Sequence, residues 1–309
     1  MVKTTKGPQL SRYADLLSDA GFKAVLSAPR NRNLLRDLLN LIIPPDRRIE
    51  EIESYDDREI NGFTPFNHYS RVDIRCRDTS GRSFVVEMQR KMNDYFFQRC
   101  VWYASNVYGS DLHPGSEYKD LHPVYSVAFL EESLPHEDES LWGEDHLISC
   151  YRMTEKSTGE VATDTIVCIF VELGRFNSKD KRELKSSLEK ILYTFKHAKD
   201  WDNAPEELME DEVSSELIRA CEIENFPSDV KLEYIRTMFT EMDYKAETQA
   251  YFKDGFKDGE KKGEQNKARE SAKNFLKAGV DAQIIAQCVG LPLEEVLSLK
   301  QNCRSTGLH

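Results

Sequence analysis

The sequence predicts an α/β protein: a layered sheet-and-helix core followed by an all-helical C-terminal extension. Three observations carry that expectation. Residues 71–91 alternate as two strands around a turn, and an aromatic-rich helical stretch follows them. Two short apolar runs of buried-strand type come next, VYSVAFL at 124–130 and IVCIFVEL at 166–173. Strand, strand, helix, strand is the order of a layered α/β core and not of a helix bundle. Beyond residue 200 the pattern turns helical, and glycines at 255, 259 and 263 punctuate a strongly charged stretch.

Taken in order, residues 13–19 and 21–26 carry apolar side chains at helical spacing. Residues 33–43 (NLLRDLLNLII) form a more strongly amphipathic helix, which Pro44-Pro45 stops. A short strand is expected near 52–55. In the hairpin, Val72, Ile74 and Cys76 alternate with Arg71, Asp73 and Arg75, and Asp78-Thr79-Ser80-Gly81 supplies the turn. In the second strand Phe84, Val86 and Met88 point one way, Val85, Glu87 and Gln89 the other. Residues 94–112 read as a helix with Phe96, Phe97, Trp102, Tyr103 and Tyr108, 146–153 as a weaker strand, and 181–197 as an amphipathic helix. Residues 206–224 and 229–252 look helical, on either side of Phe226-Pro227. Gly279 and Gly290 suit helix C′ positions, and Pro292 suits a helix start. The resulting hairpin has helix-turn-helix size, so it either touches DNA or serves packing and self-association. The expected division is a core over 1–200, a helical extension over 201–252, and a linker with a C-terminal helical hairpin over 253–309.

Composition excludes several classes. No apolar run in the 309 residues is long enough to span a bilayer, and the first dozen residues lack an apolar signal region. Seven scattered cysteines with no CxxC pair read as free thiols in a reducing cytoplasm. The net charge of −12 opposes a nucleic-acid partner, but its distribution weakens the objection. Residues 1–48 hold nine Lys/Arg against four Asp/Glu, and 71–99 hold seven against four. The acid gathers at 131–145, with seven acids and no Lys/Arg, and at 200–224, with ten acids and one base.

The hairpin carries the chemistry. Phosphodiester hydrolysis needs charge neutralisation at the non-bridging oxygens, an activated water and a stabilised leaving oxygen. Hard carboxylates and a backbone carbonyl suit Mg²⁺. Asp73 and Glu87, on neighbouring strands, can converge on one ion, with the Met88 carbonyl as a further ligand. Gln89 shares the face of Glu87 and can orient a water, and Lys91 lies on that face if the strand continues. Charges set amid such apolar runs are costly unless paired or metal-bound. A buried salt bridge from Asp73 to Arg71 or Lys23 is the alternative. No GxxxxGK[ST], HExxH or GxSxG occurs.

An ordered set of boxes carries a resemblance. Asp19-Ala20-Gly21-Phe22-Lys23 resembles a D-x-x-F-K box. Val72-Asp73-Ile74 resembles a strand bearing a metal-binding Asp, and Val86-Glu87-Met88-Gln89 resembles an E-x-Q signature. Phe96, Arg99 and Tyr103 follow at fitting spacings, and Val171 to Phe176 resembles an E-L-x-K-F segment. Together they resemble the PD-(D/E)xK nuclease family transposases, also called recombination-promoting nucleases, over roughly residues 13–300. The resemblance implies a restriction-endonuclease-like core, a central mixed sheet flanked by helices. It implies DNA cleavage dependent on Mg²⁺, with Mn²⁺ as a substitute, in the service of recombination or transposition. Asp73 and Glu87 would be the metal ligands and Gln89 would stand in the place of the motif lysine. Lys23 would reach the scissile phosphate, with Lys23 or Lys91 supplying the missing cation. Glu172 matches a box and reads as structural. Gln at position 89 leaves a second reading, a nuclease-fold protein with a weakened site that binds nucleic acid or assembles.

Overall fold

Six strands form one mixed sheet in the order β1-β2-β3-β4-β6-β5. They are β1 (Ile52–Tyr55), β2 (Ile74–Asp78), β3 (Ser83–Gln89), β4 (Val124–Leu130), β5 (Ile148–Thr154) and β6 (Val161–Glu172). The computed structural model describes residues 11–55 and 72–305, apart from 113, 114, 116, 137, 139, 141, 144, 145, 178 and 179. Arg71, and with it one end of the expected hairpin, lies outside them. β3, β4 and β6 run parallel, and β1–β2, β2–β3 and β5–β6 pair antiparallel. Every residue of β4 is buried, as a central strand covered on both faces must be.

Alternation along β4 divides the core. On one face lies α3 (Phe96–Ser110), whose Phe96, Cys100, Tyr103, Ala104 and Val107 meet Val85, Val124, Ala128, Leu130, Cys168 and Phe170. On the other, Phe129 lies 5.9 Å from Phe22 of α1 (Asp19–Leu26) and stacks at 4.9 Å on Phe195 of α4 (Ser187–His197). α2 (Arg32–Asn40), the short α5 (Glu206–Met209) and α6 (Glu212–Cys221) complete that layer. A mixed sheet between helical layers is the restriction-endonuclease-like architecture expected.

The segment before α1 corrects an expectation. Residues 13–18 are buried but not helical. The Asp15 carboxylate accepts a hydrogen bond from the Leu17 N–H, a local turn that competes with helix. The Ser18 hydroxyl caps α1 by accepting from the Gly21 N–H. The chain at Arg12–Ala14 instead pairs with Cys221–Ile223, where Ala14 N–H donates to the Cys221 carbonyl and Ile223 N–H to that of Arg12. β6 also begins earlier than its apolar run, because polar residues from Val161 pair with the end of β5.

Glu172 closes β6 as a fully buried hub. Its carboxylate accepts from the Leu134 N–H at 2.9 Å, Arg175 Nε at 3.0 Å and the Ser149 hydroxyl at 3.3 Å. It thus pins the chain leaving β4 to β5 and β6.

The chain divides into two compact units, Met1–Thr237 and Met238–His309. A single helix, α7 (Ser228–Lys277), runs through Gly255, Gly259 and Gly263. In the second unit Ala272, Ala282, Ile285 and Val296 make a small core with α8 (Ala282–Val289) and α9 (Leu293–Ser305). Gly290 takes a left-handed conformation (φ +71°) between α8 and α9, which meet at 119°. Among the described residues no single helix is long and apolar enough to cross a membrane.

Removing the Glu172 carboxylate takes the acceptor from the buried Leu134 N–H and the Ser149 hydroxyl and breaks the ion pair with Arg175. Glu172→Ala is therefore expected to lower stability by roughly 3–5 kcal/mol, read as an earlier urea midpoint. Wild-type stability in that variant would show that the hub carries no load.

Candidate active site

The hairpin register places the two acids together. Ile74 pairs with Val86 and Arg77 with Ser83, so extending the ladder by one residue sets Asp73 across from Glu87. Asp73 sits at a bend just before β2, and its Oδ2 accepts from the Met88 N–H at 2.9 Å. Its side chain is 12% exposed, and that of Glu87 10%.

A cation reaches each carboxylate from a different layer. Lys23 Nζ lies 3.0 Å from Asp73 Oδ1 and 2.6 Å from Asp19 Oδ1. α1 can hold Lys23 there because residue 21 is glycine. A Cβ on Gly21 would fall 2.1 Å from the Asp15 carbonyl oxygen, a contact that only displacement of the helix relieves. From the opposite face, Arg99 of α3 comes within 3.8 Å of Glu87 Oε2 and donates through Nη2 to the Gln89 side-chain oxygen. Gln89 in turn donates to the Lys91 carbonyl. The Arg99 guanidinium lies 5.6 Å from the Phe96 ring centroid.

Both carboxyl groups are pushed above their ordinary range. Burial raises Glu87 to about 7, helped by the charge of Asp73 and opposed by Arg99 and Lys23. Burial also raises Asp73, with Asp19 adding to the effect, while Lys23 and the Met88 N–H oppose it. Burial pulls Lys23 down, yet the hydrogen bonds and charges of Asp19 and Asp73 more than offset this and keep it protonated. Neighbouring cations thus compensate the acids only in part.

The structure therefore brings together Lys23, Asp73, Glu87, Met88 and Gln89. The anticipated Lys23 salt bridge to Asp73 is present, beside an acid pair and not in place of it. Lys91 differs from expectation: β3 ends at Gln89, so the alternation stops short of it. Lys91 is exposed and offers its backbone carbonyl to Gln89. Two participants were not singled out from sequence as site residues, Asp19 and Arg99. The i,i+4 spacing of Asp19 and Lys23 was the available signal for the first. The place of Arg99 among Phe96, Cys100 and Tyr103, all facing the sheet, was that for the second.

Residues 16–250 match the family model described as PD-(D/E)XK nuclease family transposase. The chain belongs to that family. Neither the curated proteins nor the solved structures contained a match. PD-(D/E)XK nucleases usually use divalent metals, and the two acids of the hairpin are the candidate donors. Among the described residues no three His, Cys, Asp or Glu group closely enough to hold a metal by themselves. Two buried oxygen donors still suit Mg²⁺, which keeps several waters and binds through one or two carboxylates. Incompletely neutralised, they are acids whose charge a cation would relieve.

The sign of the pH dependence follows. The folded state keeps protons on these acids that the unfolded state has lost, so stability falls as pH rises from the ordinary carboxylate range to about 7. Glu87 alone, moved from 4.5 to about 7, accounts for on the order of 3 kcal/mol. The metal-free protein is expected to melt at a lower temperature at about pH 8 than at about pH 5, with Glu87→Gln flattening the difference. Mg²⁺ or Mn²⁺ should raise the melting temperature more at the higher pH. A pH-independent response to metal would contradict the site.

Proposed function

We propose that the chain is a metal-dependent DNA endonuclease of the cytoplasm, hydrolysing phosphodiesters in a recombination or transposition setting. The observation that carries this reading is the buried, partly compensated pair Asp73 and Glu87, within a family-matched PD-(D/E)XK fold. Asp73, Glu87 and the Met88 carbonyl would hold Mg²⁺, or Mn²⁺ in its place. When bound, the ion supplies charge neutralisation at the scissile phosphate and an activated water.

The chain's own residues do the rest. Lys23, already protonated and poised between two carboxylates, can turn its ammonium to a non-bridging phosphate oxygen. Gln89 spends one lone pair on Arg99 and one amide hydrogen on the Lys91 carbonyl. Its second lone pair and second amide hydrogen remain to orient the attacking water. Gln89 has no charge to lend, and Arg99 behind it supplies one. Lys91, exposed beyond the strand end, can contact the flanking backbone phosphate.

Supercoiled plasmid with Mg²⁺ is the direct test. Asp73→Ala and Glu87→Ala are each expected to lower the nicking rate by about 100-fold or more. Equal nicking by both variants and wild type would remove the proposal. Arg99→Gln and Gln89→Ala should each cost about tenfold, and the double variant little more, because the two side chains act as one unit. Full additivity would separate Arg99 from the reaction.

A weakened site that binds DNA without cutting it is the second reading, favoured by Gln89 in the lysine position. Salt-dependent binding with no product in either Mg²⁺ or Mn²⁺ would select it. Self-association through the tail rests on a separate observation: Phe275, Ile284, Leu293 and Leu297 are all substantially exposed on the second unit. Ile284→Lys with Leu297→Lys is expected to reduce the mass measured by light scattering. An unchanged mass would exclude these side chains from an interface.

A further inference from the structure

A cavity of about 300 Å³ opens at the carboxyl ends of β3 and β4, the end of the sheet that carries the acid pair. Open α/β sheets bind ligands beyond the carboxyl ends of their parallel strands. Met92, Phe96, Phe97 and Leu134 give the cavity an apolar, aromatic lining, and Asn93 and Gln98 stand at it as amides. The Met92 N–H donates to Glu132 Oε2 at 3.0 Å, so the chain segments leaving β3 and β4 are tied together beside it. Phe96 is shared between cavity and site. The Arg99 guanidinium lies against its ring, and Arg99 also touches Gln89 and neighbours Glu87.

The chemistry of the lining selects its occupant. Among the described residues no Lys or Arg lines the cavity, and Asp94 does, so a phosphate is disfavoured there. A flat, neutral, aromatic group with hydrogen-bonding edges fits both the rings and the amides. The Asn93 side-chain oxygen accepts from the Tyr95 N–H, which leaves its amide nitrogen as the donor toward a ligand. Tyr95, 72% exposed on the same turn, adds a further ring at the opening of α3. A base held in a duplex shows only its edge in a groove and cannot enter such a cavity.

We infer that this cavity receives a single unpaired nucleobase from the strand whose phosphate lies at Asp73 and Glu87, so that the chain acts on DNA beside a base outside the duplex. The inference rests on the nuclease reading and narrows its substrate class to single-stranded or locally unpaired DNA. Stacking of the base on Phe97, whose ring is partly exposed while Phe96 backs the cavity from the core, supplies sequence-tolerant affinity, and the amides of Asn93 and Gln98 meet its edge.

The test uses the full chain and three duplexes of one sequence: fully paired, with one unpaired 2-aminopurine, and with an abasic residue at that position. Binding is measured in EDTA by anisotropy and by 2-aminopurine fluorescence, and cleavage in Mg²⁺. The unpaired base is expected to bind about tenfold tighter than the abasic residue, with its fluorescence quenched by stacking. Cleavage should follow the same order. Gln98→Trp, an exposed position that would fill the cavity, should abolish the preference while leaving the thermal unfolding midpoint near that of wild type. Equal binding of the unpaired-base and abasic duplexes, or an undiminished preference in Gln98→Trp, overturns the inference. Quenching without cleavage of any DNA would remove the nuclease reading and leave the base pocket standing.

Discussion

The structure turns on the cost of burying two carboxylates at one end of a sheet. Asp73 and Glu87 lie where water is largely excluded, and neither is fully neutralised by a single partner. The compensation comes from both sides. Lys23 is carried by the helical layer on one face and Arg99 by the helix on the other. Helical packing and site assembly are therefore one problem. Phe22, one residue before Lys23, packs on Phe129, and Phe96, one turn before Arg99, packs on Phe170. A shift of either layer would leave a buried charge uncompensated, which is the costlier state.

Gln89 fits the same logic. A lysine at that position would place a third cation beside Lys23 and Arg99. Here the side chain is neutral and accepts from Arg99, so the positive charge reaches the site from α3 and not from β3. The charge expected at the motif's third position is present one side chain further away. Whether a water is activated there depends on how far a guanidinium acting through an amide can replace a direct ammonium, which the Gln89 and Arg99 variants measure.

Much of this was legible in the residues. Strands β1 and β4 fall where apolar alternation and apolar runs place them, and β2 and β3 surround a turn rich in Asp, Ser and Gly. Asp73, Glu87 and Gln89 were visible because polar groups interrupt apolar strands. Long-range and cap-level choices were harder to read. Residues 13–18 have helical spacing, but a turn at Asp15 and a bridge to Glu222 win. The bridging partner is some two hundred residues away, and no local periodicity records it. Lys91 was placed by extrapolating a strand that ends two residues earlier, and strand ends are set by the neighbouring chain, not by alternation. Arg99 was hidden because a helical arginine reads as solvent-facing until the opposite sheet position is known to hold an acid.

The net charge of −12 is the remaining objection to a nucleic-acid partner, and several acids of the two acidic stretches are engaged within the fold. Glu131 pairs with Arg90, and Glu132 accepts from the Met92 N–H. Asp211 caps α6 by accepting from the Ser214 N–H, and Glu222 binds Arg12 where the N-terminal segment joins α6. These acids anchor loops, helix ends and chain crossings. A cap leaves the carboxylate charged but sets it against the positive end of a helix, and a pair cancels it locally. The potential that a DNA strand would meet at the proposed site is fixed by the groups at the carboxyl ends of β3 and β4. There Lys23, Lys91 and Arg99 stand against Asp19, Asp73 and Glu87, an even balance that a divalent ion would tip positive. Net charge is a property of the whole chain, whereas this end of the sheet is set by six of its side chains.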